Sequence, residues 1–344
     1  MAVTVKDVAA LAGVSPSTVS RVCKNNPSIS KETREKVRRA MTKLGYEPST
    51  PAATAPQKAR QIGIILPPSP REVYENSFFL EVIRGISQFC NQRQYASTII
   101  TGQDEQEILQ AIRTLTRGEQ VEGFILLYSK TDDVVVNYLC EEGYLYALVG
   151  KAIQLANQTI CIDNDNLSAG RDATEYLYSL GHRRIAYLGG ESAFFFSADR
   201  KSGYQLALLQ HGLTPDPAFS VEADYFSCNR NDKLRALLSR EDRPTAIVVS
   251  DDILAVSLER ICLQMGLSIP GDISLVSFNN SLLAQLTFPQ LTSVDVNTFQ
   301  LGFEAASQLI NHVENPNLMA TKIIVPHAIV ERSSCRALTD TESL

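Results

Sequence analysis

Between residues 4 and 46 apolar side chains recur at helical spacing in three runs. Val5, Val8, Ala9 and Ala12 stand at i, i+3, i+4 and i+7, the pattern of a helix that buries one face. Thr4 is placed to cap this helix by accepting a first-turn N–H, and Gly13 can take the left-handed conformation that ends it. Ser15 then caps a second helix with Pro16 at its first position, where a missing N–H costs nothing. In that helix Val19, Val22 and Cys23 are predicted to face inward, leaving Ser17, Thr18, Ser20 and Arg21 outside. Asn25, Asn26 and Pro27 break the chain. A third helix from Ser30 carries the stripe Val37, Ala40, Met41 and Leu44; Gly45 closes it and Tyr46 folds back on the bundle. Residues 47–61 have no periodicity and three prolines, and read as a linker.

From Ile62 the pattern changes to short apolar runs separated by amphipathic segments. Strands are predicted at 62–67, 95–101, 121–129, 145–151 and 159–165, with helices at 78–93, 104–118 and 134–143 between them. A second unit repeats the alternation: helices at 166–181, 199–212, 232–241 and 251–266, strands at 183–190, 219–226, 245–250 and 273–278. Residues 290–313 change from strand to helix and return to the first unit; 321–334 close the chain as strands. Such alternation means α/β structure with doubly wound parallel sheets covered on both faces. The expected organisation is a helix-turn-helix domain at 1–46, a hinge linker at 47–61 and a core at 62–338. Within the core, one subdomain takes about 62–160 and 292–320, the other about 161–291 and 321–338. Two such units enclose a cleft at the carboxyl ends of their strands, where open α/β sheets bind ligands.

Charge sharpens this division. The 344 residues carry a net −6, yet residues 1–60 hold eleven Lys and Arg against four acids, a net +7 that leaves −13 for the remainder. A cationic head on an acidic body suits a polyanion at the head alone. The seven cysteines are scattered, odd in number and without a C-x-x-C pair, so free thiols are expected rather than a disulfide framework or zinc cage. The four histidines show no metal spacing, and no metal or cofactor is expected. The beginning of the chain becomes charged at Lys6, unlike a secretory signal, and no apolar run approaches the ~20 residues that span a bilayer. A cytoplasmic protein without membrane contact is the expectation.

A short second helix, polar on its outer side and ending in Arg21, fits a recognition helix in a DNA major groove. An ordinary helical hairpin would share the spacing; the N-terminal position, the third helix and the local charge favour DNA. The words also carry a resemblance. Residues 7–15, DVAALAGVS, followed by STVSRV at 17–22, resemble the LacI/GalR family of bacterial transcription regulators. The resemblance extends over essentially the whole chain through HRRIAYLGG, RKSGY, SDDILA, IPGDISLVSF and IVERSS, and implies a periplasmic-binding-protein-like core. It implies operator contacts from Thr4, Ser15, Pro16, Ser17, Thr18, Ser20, Arg21 and Asn25. It also implies a hinge helix of the pattern NxxARxL; here Ser49, Ala52, Ala53 and Ala55 hold those places, and Pro51 and Pro56 interrupt them.

Polar and aromatic residues at strand ends are the candidates for a ligand in the cleft: Asn76, Phe78, Phe79, Lys151, Asp163, Asp165, Phe195, Arg200, Asp251 and Asn279. The positions matching Arg200, Asp251 and Asn279 face the effector in the family, the last usually as Asp. Carboxylates accept sugar hydroxyls, Arg donates in a rigid fork, and phenylalanines offer flat apolar faces to a pyranose. Other roles are open to the same residues: core packing for Phe194–Phe196, helix capping for Asp163, Asp165, Asp251 and Asp252. More acids than bases disfavour a phosphorylated ligand, so a neutral saccharide is expected. The NSFF, VGK and DND stretches resemble maltose-operon regulators within the family, which makes maltose or a maltodextrin the specific expectation. No G-x-G-x-x-G after a strand, no GxxxxGK[ST] loop and no G-x-S-x-G elbow is present, so no catalytic residues are assigned and an enzyme is not expected. The resemblance implies a homodimer that represses sugar-utilisation genes and whose DNA heads respond to closure of the cleft.

Overall fold

The computed structural model describes residues 3–23, 29–46, 60–69, 76–117, 121–153, 155–190, 193–222 and 232–338. The chain forms two compact units, Met1–Lys58 and Ala59–Leu344. Asn25 and the hinge residues Ala52, Ala53 and Ala55 lie outside the described residues, as does the side chain of Arg21.

In the first unit α1 (Val5–Ala12), α2 (Pro16–Cys23) and α3 (Lys31–Leu44) follow the sequence pattern closely. Val8, Ala9, Val19, Val22, Val37, Ala40 and Met41 form its core, with Leu44 and Tyr46 packed against it. Gly13 and Gly45 end their helices at φ 66° and 63°. Ser15 accepts from the Thr18 N–H at 3.2 Å and Ser30 from the Thr33 N–H at 3.3 Å, as caps do. Thr4 is the N-cap of α1 and forms a capping box with Asp7, whose carboxylate accepts the Thr4 N–H and hydroxyl at 2.7 Å each. One local expectation is corrected. Cys23 is exposed, since the last turn of α2 turns it past the apolar face.

The second unit holds two six-stranded sheets. The first contains β1 (Gln61–Ile65), β2 (Ala96–Ile100), β3 (Val121–Leu126), β4 (Tyr146–Val149), β5 (Ile160–Asn164) and β11 (Lys322–Val325), in the order β2-β1-β3-β4-β5-β11. The second contains β6 (Ile185–Gly189), β7 (Ser220–Glu222), β8 (Ala246–Val249), β9 (Ser274–Phe278), β10 (Thr292–Asp295) and β12 (Ala328–Val330), in the order β7-β6-β8-β9-β10-β12. All pairings are parallel except β10 with β12. Helices α4 (Ser77–Gln92), α5 (Glu105–Thr116), α6 (Val134–Glu141) and α12 (Thr298–Glu314) accompany the first sheet. Helices α7 (Asn166–Ser179), α8 (Phe195–Gln210), α9 (Asp232–Leu238), α10 (Asp252–Gln264) and α11 (Leu282–Leu286) accompany the second. Near-continuous burial of strands such as Ile185–Gly189 and Ser274–Phe278 reflects cover on both faces.

The subdomain boundaries differ from expectation in three places. β5 belongs to the first sheet, so the first crossing falls after Asn164; β10 belongs to the second and β11 to the first. Gln61, placed in the linker by sequence, opens β1. Periodicity marks a segment as a strand and does not say which sheet it joins, and β10 and β11 hold only four residues each. Asn164 ties the three crossings together, its buried amide donating to Val296 O at 3.0 Å and Val325 O at 2.8 Å.

Candidate functional site

Each sheet repeats a 2-1-3-4-5 order, in which ligands bind beyond the carboxyl ends of the strands where the order reverses. A cavity of about 230 Å³ lies there, walled by both sheets. From the first sheet it takes Pro67–Ser69 after β1, Leu127–Ser129 after β3, Val149 and Gly150 at β4, and Asp163 and Asn164 at β5. Phe194, Phe196, Arg200, Asp251 and Asn279 close it from the second.

The polar lining is built by strand ends and helix starts. Asp251 caps α10, taking the Ile253 N–H on one oxygen at 2.7 Å. Its other oxygen accepts the Asn279 amide at 2.7 Å and faces the Asn76 amide at 3.4 Å. Asn279 sits at φ 94°, a left-handed conformation that Asn tolerates better than most residues, just past β9. Arg200 is 4% exposed; it donates to Asn166 at 2.9 Å and Ser250 O at 2.7 Å, and its guanidinium lies 4.3 Å from the centre of the Phe278 ring. Asp163 accepts the Asn164 N–H at 2.8 Å and the Asn166 amide at 3.0 Å. Burial pushes Asp251 up to about 6, reinforced by the neighbouring charge of Asp252. Burial likewise pushes Asp163 up to about 6, against the pull of the Asn164 N–H and of Arg200. Asp252 is itself raised by burial but spends its oxygens on Ser277, Ser293 and the Ser281 N–H, and stays out of the cavity. The aromatic lining comprises Phe78, Phe79, Tyr128, Phe194 and Phe196, with Tyr128 edge-on to Phe194 at 6.5 Å between centroids and Phe196 5.2 Å from the Arg200 guanidinium.

Seven sequence candidates therefore meet at this cavity: Asn76, Phe78, Phe79, Asp163, Arg200, Asp251 and Asn279. Three do not line it. Lys151 turns to an adjoining recess and pairs with Asp199 at 2.6 Å. Asp165 is exposed and caps α7 through the Ser168 N–H at 2.9 Å. Phe195 opens α8, where successive side chains diverge by ~100°, and its ring takes the Lys151 ammonium at 5.6 Å. Sequence reasoning passed over Tyr128, Ser129 and Asn166. Tyr128 follows an apolar strand and reads as core; its position two residues past β3 was the available signal.

In the first unit, Ser15, Pro16, Ser17 and Ser20 stand exposed along and before α2, while Thr18 is half-buried. The Ser15 hydroxyl bonds those of Ser17 at 2.8 Å and Thr18 at 2.9 Å.

Comparison with known proteins agrees with both halves of this architecture. Residues 4–49 match the bacterial regulatory proteins of the lacI family, and residues 174–335 match a periplasmic binding protein-like domain. The HTH-type transcriptional regulator MalR of Streptococcus pneumoniae serotype 4 is 37% identical over 96% of this chain and 100% of its own. The chain belongs to the LacI family. As a LacI-family protein it is a DNA-binding transcriptional regulator and not an enzyme. Among solved structures, the transcriptional regulator CelR in complex with cellobiose superposes with a TM-score of 0.74 at 28% identity, over 97% of this chain and 100% of that one. A structure described as a maltose operon transcriptional repressor, malR, of Staphylococcus aureus gives 0.73 at 25% identity, over 80% and 97%.

Proposed function

We propose that this LacI-family regulator represses sugar-utilisation genes and takes a neutral glucose-built saccharide, maltose or a short maltodextrin, as its effector in the cavity between the two sheets. The observation that carries this is the cavity's mixed lining of polar and aromatic side chains. Asp163, Asp251, Asn279 and Arg200 offer acceptors and a fixed donor to sugar hydroxyls, and five aromatic rings offer apolar faces to the ring carbons. A saccharide uses both kinds of contact at once. Among the described lining residues Arg200 is the one cation, facing two carboxylates, so a sugar phosphate would bring its charge to a net acidic wall. The likeness to MalR and to a cellobiose-bound CelR supports the same ligand class.

The head supplies the DNA contacts in this reading, with the exposed side of α2 in the major groove and Thr4, Ser15, Pro16, Ser17, Thr18, Ser20, Arg21 and Asn25 as the contact set. The protein acts in the cytoplasm, where operator DNA is; among the described residues no helix is long and apolar enough to cross a membrane. A second copy of the chain is the partner read for α10 and α11, where Leu263, Leu282, Leu286 and Phe288 are exposed, Phe288 fully. Sedimentation of the unaltered protein should give a dimer, and Phe288→Asp should shift it toward monomer.

Calorimetry tests the effector. Maltose, maltotriose, cellobiose, galactose and glucose 6-phosphate are titrated into the full chain. Heat from the glucose-built neutral saccharides is expected, with Arg200→Ala and Asp251→Ala abolishing it. Tight binding of the phosphate sugar alone would overturn the assignment.

A further inference from the structure

Arg60 is the second residue of the core unit and immediately precedes β1. Its carbonyl accepts the Ala96 N–H at 2.8 Å, and its guanidinium takes Glu122 by two hydrogen bonds of 2.8 Å each. A third nitrogen lies 3.6 Å from Glu314, and the guanidinium rests 4.3 Å from the centre of the Tyr95 ring. The other oxygen of Glu314 pairs with Arg93. Arg93 is the C-cap of α4 and Glu314 the last residue of α12, so this cluster stands at the carboxyl ends of both helices.

Their opposite ends stand at the cavity. Asn76 caps α4 and lines the cavity together with Phe78 and Phe79; Leu301 lines it from the first turn of α12. The Asn76 amide also faces Asp251 across the cleft, so closing the cleft acts on the first turn of α4. The two helices, each ~24–26 Å long at 1.5 Å per residue, pack backbone to backbone. A Cβ on Gly85 would lie 2.2 Å from Phe299 O, and one on Gly302 would lie 2.0 Å from Val82 O. With no side chain between them at these points, the pair resists sliding and shifts as one body.

We infer that Arg60 is the positioning residue through which the α4–α12 pair, moved at its cavity end by a bound saccharide, sets the start of the chain segment leading to the DNA-binding head. The inference rests on the reading of the cavity as an effector site. Arg suits the role because its planar fork grips Glu122 by two bonds at once while its face stacks on Tyr95; a lysine ammonium does neither in that geometry.

The test measures operator affinity with and without saturating maltose, using the full chain, Arg60→Lys and Glu314→Gln, the second removing the charge by which the end of α12 reaches Arg60. Maltose affinity and the thermal midpoint are read alongside. For the unaltered protein a ratio of operator affinities within about 5–150-fold is expected, the usual range of allosteric coupling. In both variants it should fall below about twofold, with maltose affinity and sugar-free operator affinity held within about twofold of the original. By reciprocity, operator DNA should then no longer alter the maltose affinity of the variants. Variants that keep the full ratio would overturn the coupling alone. So would a loss of ratio that merely follows an equal loss of maltose binding, since that marks a structural role. A ratio of one in the unaltered protein, or no maltose heat, would overturn the effector reading and the coupling with it.

Discussion

Asp163 and Asp251 reach the cavity without full solvation, and each is pushed up to about 6 by burial. An unfolded Asp titrates near 3.9. Between about pH 4 and pH 6 the folded chain therefore binds more protons than the unfolded one, so stability falls as pH rises across that window and is level above it. A two-unit shift corresponds to about 3 kcal/mol per group as an upper figure. The two residues should answer differently to neutralisation. Asp163 accepts the Asn164 N–H and the Asn166 amide on one oxygen, which an amide oxygen can replace. Asp163→Asn should stabilise the sugar-free protein at pH 8 by about 1–3 kcal/mol, flatten the slope between pH 4 and 6, and weaken saccharide binding. Asp251 accepts on both oxygens, from Ile253 and from Asn279, so an Asn there would set one NH₂ against another. Asp251→Asn should bring no such gain. Urea unfolding of both variants at pH 5 and pH 8 checks this; an unchanged or reduced stability of Asp163→Asn at pH 8 would show that the carboxylate is solvated rather than held in an apolar wall.

At the scale of elements, α2 is where a short stretch of sequence bears most on function. Its inner face, Val19 and Val22, is fixed by the bundle core, and the function proposed above gives its outer face and Arg21 to DNA. Arg21→Ala should cost about 1–3 kcal/mol on operator DNA and less on random DNA if the side chain reads a base edge. Equal losses on both in a fluorescence titration would restrict Arg21 to phosphate. The same periodicity that exposes this helix made nearly every element of the core legible, because 3.6- and 2-residue repeats report burial directly. Sheet membership was not legible. Thr292–Asp295 and Lys322–Val325 hold four residues each, too few for alternation to say which sheet takes them, and only the folded chain decides between them. The site was readable to the extent that it obeys a rule of place. Polar residues one or two steps past a strand, such as Asn279 and Asp251, were found by position. Lys151 and Phe195 missed the cavity by one residue, because the neighbours Gly150 and Phe196 carry the direction that faces it.

Across the whole molecule, charge divides the chain into a cationic head and an acidic core, and the same force acts between the two halves of the core. Their lips are joined by the Phe195 N–H donating to Ser129 O at 3.2 Å and the Thr131 N–H to Ala193 O at 3.4 Å. Beside that bridge Lys151, from the first sheet, pairs with Asp199 on α8, from the second. The pair exists only while the lips are together, so it adds to the closed form and not to an open one. A ligand enclosed between the sheets binds the closed form, and its apparent affinity scales with the fraction of chains able to close. The Lys151 side chain is 41% exposed and that of Asp199 22%, so water screens the attraction and the pair is worth about 0.2–1 kcal/mol. Asp199→Asn should accordingly weaken maltose binding by about 1.5–5-fold at low salt. The difference from the unaltered protein should shrink toward nothing at about 1 M salt, where the screening length falls to about 3 Å. Sugar-free operator binding should stay as it was, since neither residue belongs to the head. Calorimetry at two salt concentrations decides the matter. A loss of affinity that persists undiminished at high salt would mean that Asp199 acts by packing or by touching the sugar, and the electrostatic clasp would have to be abandoned.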